Sequence, residues 1–161
     1  MIKKITLPIN GGSVTTNVAS NETLLETLRR LGRVEVKCGC EKGDCGACAV
    51  LLDGMAVDSC LTLTWTVGDR AITTVSGLGT REEPHPLQTA FALRGAAQCG
   101  YCTPGILIAA KSMLDNDTND PSEHDIRMGL SGNLCRCTGY TKIYDAVAEA
   151  AGELRGKADI K

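Results

Sequence analysis

Apolar and polar residues alternate from Lys3 to Ile9, break at Gly11-Gly12 and alternate again from Ser13 to Ala19, which predicts a β-hairpin closed by the glycine pair. The period then lengthens. Leu24, Leu25, Leu28 and Leu31 recur at helical spacing, with Ser20 or Asn21 as the N-cap and Gly32 as the stop. Short β-type runs follow at Val34 to Val36 and Ala49 to Leu52. An Asp53-Gly54 turn leads into Met55 to Val57, and a last run covers Ala71 to Val75. Strands around one helix that crosses the sheet make a β-grasp, an economical way to bury the leucine face.

Beyond Ser76-Gly77-Leu78-Gly79 the texture changes, and Thr80 to Pro86 is a polar, Pro-containing stretch of the kind that joins domains. Four helices are expected after it. The first runs from Pro86 through Leu93 to a stop at Gly95. The second opens at Pro104 and continues through Leu114, with Ile106, Ile108, Ala109 and Met113 facing inward. Ser122 and Asp125 frame a capping box for the third, which Ile126 and Leu130 carry to a stop at Gly132 in preference to Gly129. Thr141 to Leu154 is the fourth, with Ile143, Val147, Ala150 and Ala151 on one face and a frayed tail from Arg155. The fold class is thus α+β: a β-grasp domain over residues 1–78, then an all-α four-helix bundle over residues 79–161.

Composition sharpens this. In 161 residues the only aromatics are Trp65, Tyr101, Tyr140, Tyr144 and Phe91, so the cores rest on Leu, Ile, Val and Ala. Domains of roughly 80 residues are marginal on an apolar core alone and gain from a metal staple. Net charge is -2, from 17 basic and 19 acidic residues well mixed along the chain, which is no nucleic-acid footprint. Met1 to Leu7 lacks the apolar run of a secretory signal, and no stretch approaches the ~18 apolar residues of a membrane span. Nine cysteines without an export signal point to metal ligation in a reducing cytoplasm rather than to a disulfide framework.

Eight of the nine fall into two sets. Cys40, Cys45, Cys48 and Cys60 read C-x4-C-x2-C with a fourth Cys after eleven residues, which is the plant-type ferredoxin spacing. Gly43, Gly46 and Ala47 let that loop wrap closely and turn amide N–H groups toward sulfur. Cys99, Cys102, Cys135 and Cys137 form a CxxC and a CxC, each beside a helix start, and a bundle brings two such turns together at one end. Two [2Fe-2S] clusters are expected, and with them electron transfer. The competing reading is a pair of structural zinc sites, weightier for the second set than for the first. Cys38 would stretch the first interval to six residues and is read as a bystander thiol; His85 and His124 are assigned surface or capping roles.

The passages Gly39-Cys40 to Cys48, Gln98 to Gly105 and Gly132 to Tyr140 resemble the signature segments of the small iron-sulfur subunit of the molybdenum hydroxylases. This is the family of xanthine dehydrogenase, aldehyde oxidoreductase and aerobic carbon monoxide dehydrogenase, and the resemblance covers about residues 3 to 155. It implies a ferredoxin-like domain and a helical domain with one [2Fe-2S] cluster each. It implies further that Gln98 hydrogen-bonds the pterin of a molybdopterin (Mo) cofactor held by a large subunit, and that Cys137 touches the pterin while ligating iron. The ferredoxin-like cluster would face FAD on a medium subunit, in a dimer of heterotrimers. Electrons left on molybdenum by hydroxylation with water would then leave one at a time. No catalytic residue is assigned to this chain, and the substrate (purine, N-heteroaromatic, aldehyde, carbon monoxide or aromatic acyl-thioester) is not written in it. Cys38 and Asp44 depart mildly from the pattern without removing a ligand. The motif wording favours the trimeric, FAD-linked branch. The alternatives are a free-standing two-cluster ferredoxin, for which the helical half is superfluous, and a zinc-stapled interaction module.

Overall fold

The computed structural model describes residues 1–116 and 120–158. Strands β1 (Ile2–Ile9) and β2 (Gly12–Ala19) form the expected hairpin, paired from Ile2↔Ala19 to Ile9↔Gly12. Its turn is Asn10-Gly11, one residue earlier than the glycine pair predicts, with φ of 51° and 77°. A two-residue turn of this hand needs positive φ at both positions, and Asn tolerates it, so Gly12 is free to pair. Helix α1 (Leu24–Arg30) is capped by Thr23 rather than by Ser20 or Asn21. The Thr23 hydroxyl accepts from Glu26 N at 3.2 Å and the Glu26 carboxylate accepts from Thr23 N at 2.7 Å, a T-x-x-E box legible in the sequence.

Strands β3 (Ala49–Leu52), β4 (Met55–Asp58) and β5 (Ile72–Thr73) complete a mixed sheet in the order β2-β1-β5-β3-β4, with β1 and β5 parallel. The run Val34 to Val36 is not a strand. Val34 N donates to Gly32 O and Val36 N to Arg33 O, while Arg29 donates to Val36 O, so local turns and a helix side chain take the groups a ladder would need. The last run is shorter than predicted because Asn10 captures Thr74: its amide oxygen accepts from Thr74 N at 2.8 Å and its Nδ2 donates to the Thr74 hydroxyl at 2.9 Å.

Helices α2 (Pro86–Leu93), α3 (Thr103–Asn116), α4 (Glu123–Gly129) and α5 (Thr141–Ala158) make up the second half. His85 caps α2 through Nδ1, which accepts from Leu87 N, in keeping with its assigned capping role. The Ser122–Asp125 box caps α4, but the helix ends at Gly129 and not at Gly132. A Cβ at Gly129 would meet Met113 Sδ at 2.5 Å, so the glycine serves the packing of α4 on α3; Leu130, the C-cap, still reaches the core. Helix α5 continues through Ala158, where a frayed tail was expected, and Arg155 pairs with Asp120.

Two separate cores result. Leu7, Ile9, Leu24, Leu28, Val50 and Leu52 lead the first, and Leu87, Ile106, Ile126, Ile143, Val147 and Ala150 lead the second. Between them, Ala49 and Leu51 on the other face of β3 pack against Ile108 of α3. Helix α3 is therefore buried on two sides: Ile106, Leu107 and Ala110 face the bundle and Ile108 the sheet, while Ala109 and Met113 are only partly buried. Ser112 Oγ accepts from Ala56 N at 2.9 Å across the same seam.

Candidate metal centres

The first thiol set sits on a loop that repeatedly enters left-handed backbone, with φ of 55° at Glu41, 80° at Gly43 and 66° at Gly46. That path coils the chain around its own sulfurs. Lys42 N and Asp44 N donate to Cys40 Sγ at 3.4 and 3.2 Å, and a Cβ at Gly39 would meet Cys45 Sγ at 2.8 Å. Cys48 and Cys60 are buried, and Ser59 Oγ fixes their end of the loop by donating to Cys48 O at 2.7 Å. Cys60 arrives from β4, in the layer under α1, where Leu25 N donates to Ser59 O.

The second set lies where α3 and α5 begin. Cys102 precedes the first residue of α3, and its carbonyl accepts from Ile106 N. Cys135 and Cys137 occupy the turn before α5, so the second set lies at the N-terminal ends of two helices. Tyr140 shapes that turn. At φ 69° it is strained for a bulky residue, and its hydroxyl accepts from Cys135 N at 2.6 Å. Among the predicted site residues, Gln98, Cys99 and Cys137 lie exposed and Cys102 and Cys135 are half-buried.

All nine cysteines are free thiols in this structure. The eight of the two sets interact two by two: Cys40 with Cys45, Cys48 with Cys60, Cys99 with Cys137, and Cys102 with Cys135. In the helical half each pair takes one thiol from each turn. Four thiols in two pairs fit a rhomb with two irons. A further observation favours an inorganic sulfur at the second site: the Thr103 hydroxyl, beside Cys102, is buried and has no hydrogen-bond partner among the described residues.

Each set contains one acidified thiol. Hydrogen bonding from Lys42 N leads the causes that lower Cys40 to about 7. Burial works against Cys135, yet donors led by the Thr138 hydroxyl outweigh it and bring it to about 7. Burial pushes Cys48 and Cys102 up to about 12. Alkylation rate follows the thiolate fraction, so with iron stripped, Cys40 and Cys135 should label first, half-maximally near pH 7 and about tenfold more slowly for each pH unit below it. Cys48 and Cys102 should stay silent at neutral pH; peptide mapping after iodoacetamide treatment reads both.

Cys38 stands apart. Its thiol donates to Glu41 at 2.8 Å and is raised chiefly by that bond, and its carbonyl accepts from the Tyr101 hydroxyl at 2.5 Å. Cys38→Ser should keep both clusters and Cys40→Ser should lose one; the reverse pattern in visible and paramagnetic spectra would move the ligand from Cys40 to Cys38.

The two loops meet. Leu134 N donates to Cys45 O at 3.0 Å, and the buried Asn133 donates from Nδ2 to Gly46 O at 3.2 Å. Sequence reasoning missed Asn133, Tyr140 and Thr138. For Thr138 a signal existed: threonine follows the last cysteine of both motifs, in Cys102-Thr103 and Cys137-Thr138.

Residues 7–72 match the 2Fe-2S iron-sulfur cluster binding domain and residues 74–148 the [2Fe-2S] binding domain. Among similar proteins, the nicotinate dehydrogenase small FeS subunit of Eubacterium barkeri is 43% identical over 91% of this chain and 93% of its own length. The xanthine dehydrogenase iron-sulfur-binding subunit of Escherichia coli O157:H7 is 43% identical over 88% of this chain and 89% of its own. Aldehyde oxidoreductase of Megalodesulfovibrio gigas is 46% identical, but this chain spans only 18% of that protein. A chain of quinoline 2-oxidoreductase from Pseudomonas putida 86 superposes with a TM-score of 0.90 at 40% identity, over 97% of both chains. With both cluster-binding domains matched in order, and relatives this similar over nearly their whole length, the chain belongs to the family of small [2Fe-2S] iron-sulfur subunits of the molybdenum hydroxylases.

Proposed function

We propose that this chain carries electrons, one at a time, from a molybdopterin centre on a large subunit to FAD on a medium subunit during water-dependent substrate hydroxylation, within a dimer of heterotrimers in the cytoplasm. The observation that carries the reading is the seam at Leu134–Cys45 and Asn133–Gly46, which joins the two thiol-bearing loops directly. Cys99, Cys102, Cys135 and Cys137 would hold one [2Fe-2S] cluster and Cys40, Cys45, Cys48 and Cys60 the other. When bound, each cluster takes up and releases a single electron. The chain's own task is placement: helix starts and backbone amides offer positive dipoles to the thiolates, and the seam fixes the spacing.

Exposed apolar side chains support contact with partners. Leu61 and Leu63 flank the Cys60 end, while the exposed Tyr101 and Leu134 lie where the two loops meet, bonded to Cys38 O and Cys45 O. The separate cores support two domains, proposed at 1–78 and 79–161, with Val75 and Leu78 already packed on the second core. Among the described residues no helix is long and apolar enough to cross a membrane. Gln98, exposed next to Cys99, would offer its amide to the pterin, as the family resemblance implies. Gln98→Ala in the assembled complex should slow reduction of the helical cluster by substrate, or lower molybdenum content, and leave flavin reoxidation unchanged. Stopped-flow spectra with normal reduction rates and full molybdenum would remove Gln98 from the pterin site.

A further inference from the structure

We propose that the Thr138 hydroxyl sets the reduction potential of the helical cluster by donating a hydrogen bond to the cluster ligand Cys135, with Thr103 as its counterpart beside Cys102. The inference rests on the ligand assignment above. Thr138 Oγ1 lies 3.1 Å from Cys135 Sγ. Its own acceptor capacity is engaged by Tyr140 N at 3.3 Å, which leaves the hydroxyl proton free for sulfur. The positive φ of Tyr140 aims that N–H, and the Tyr140 hydroxyl takes the Cys135 amide proton for itself. Thr138 is therefore a side-chain donor that adds to the backbone amides of Cys137 and Thr138 already turned toward the same sulfur.

Once Cys135 is an iron-bound thiolate it can only accept, so the bond is charge-assisted. Reduction adds one negative charge to the cluster and strengthens the bond, so the donor stabilises the reduced form and raises the potential. The buried, unpartnered Thr103 hydroxyl next to Cys102 points to a second such donor, and Cys102 is the thiol paired with Cys135. Thr138 bonds the more buried half of the site, and the Thr103 hydroxyl lies next to it without a partner. Among the described residues, the exposed Cys99–Cys137 half has no side-chain hydroxyl donating to its sulfurs.

The test is a redox titration of the assembled complex, followed by the paramagnetic signals of the two reduced centres. Thr138→Val should lower the helical cluster's reduction equilibrium constant about tenfold, about 59 mV for a one-electron couple, with the ferredoxin-like centre unmoved. Thr138→Ser should restore it. An unshifted helical potential in Thr138→Val with full iron would overturn the inference while leaving the cluster assignment intact; wild-type complex with fewer than two [2Fe-2S] centres per chain would overturn the assignment itself. If Thr138→Val does not retain iron, the wild type decides by electron-nuclear double resonance after brief transfer to deuterated buffer. A proton coupling to the reduced helical cluster that exchanges rapidly supports the hydroxyl donor, and a spectrum without one rejects it.

Discussion

Gly105→Ala should lower the stability of the chain by roughly 3 kcal/mol and pull its two cluster loops apart. Helix propensity alone predicts the opposite sign, since Ala in a helix is favoured over Gly by about 1 kcal/mol. The contact decides. A Cβ at Gly105 would collide with Gly46 O and lie 3.1 Å from Ala47 Cα, both backbone atoms of the first thiol loop, which cannot rotate aside as a side chain would. Gly46 cannot retreat, because its other side is closed by Asn133 and Gly132 and its φ is already +66°. Gly132→Ala is the control: nothing lies within 4 Å of its Cβ position, and the variant should stay within about 0.5 kcal/mol of the parent. Thermal unfolding measures the first effect, with a midpoint roughly 10 °C lower. The magnetic interaction between the two reduced clusters measures the second, and should weaken in Gly105→Ala only. Equal midpoints for the two variants would mean that the halves are not tied at this point.

Iron content gives the other large effect. The complex should contain four irons and four acid-labile sulfides per copy of this chain, as two spectroscopically distinct [2Fe-2S] centres, and Cys102→Ala should contain two of each. The half that survives should be the ferredoxin-like centre, because Cys102 pairs with Cys135 and neither thiol touches the first set. In a small helical half, free energy of metal binding is also folding free energy, so the variant's α2–α5 region should exchange amide protons faster as well. Stoichiometric zinc in anaerobically prepared protein, or loss of both centres in Cys102→Ala, would refute the assignment.

Much of this was legible in the sequence because it is local. The C-x4-C-x2-C spacing, the alternation of β1 and β2, Pro86 at the head of α2 and the Ser122–Asp125 box each depend on neighbours within a few residues, where sequence distance and spatial distance agree. The Thr23–Glu26 box was equally local and was passed over in favour of Ser20 and Asn21. Val34 to Val36 read as a strand because its composition is β-like; only the fold revealed that Arg29 and the turn after α1 consume its backbone groups.

The sequence by itself determined two thiol sets, a β-rich half and a helical half, and hence the family's chemistry. Tertiary structure alone decided how the thiols pair, since Cys99–Cys137 and Cys102–Cys135 each join turns separated by two helices. It alone decided that Gly46 and Gly105 must both lack a side chain, that Asn133 closes the seam, and that the Thr138 proton is aimed at Cys135. The physical reason is common to all of these. A hydrogen bond or a close contact is worth something only at a distance of a few ångströms, and which distant residues meet at that distance is fixed by how two hydrophobic cores pack against each other, through Ile108 on β3, and not by any pattern along the chain.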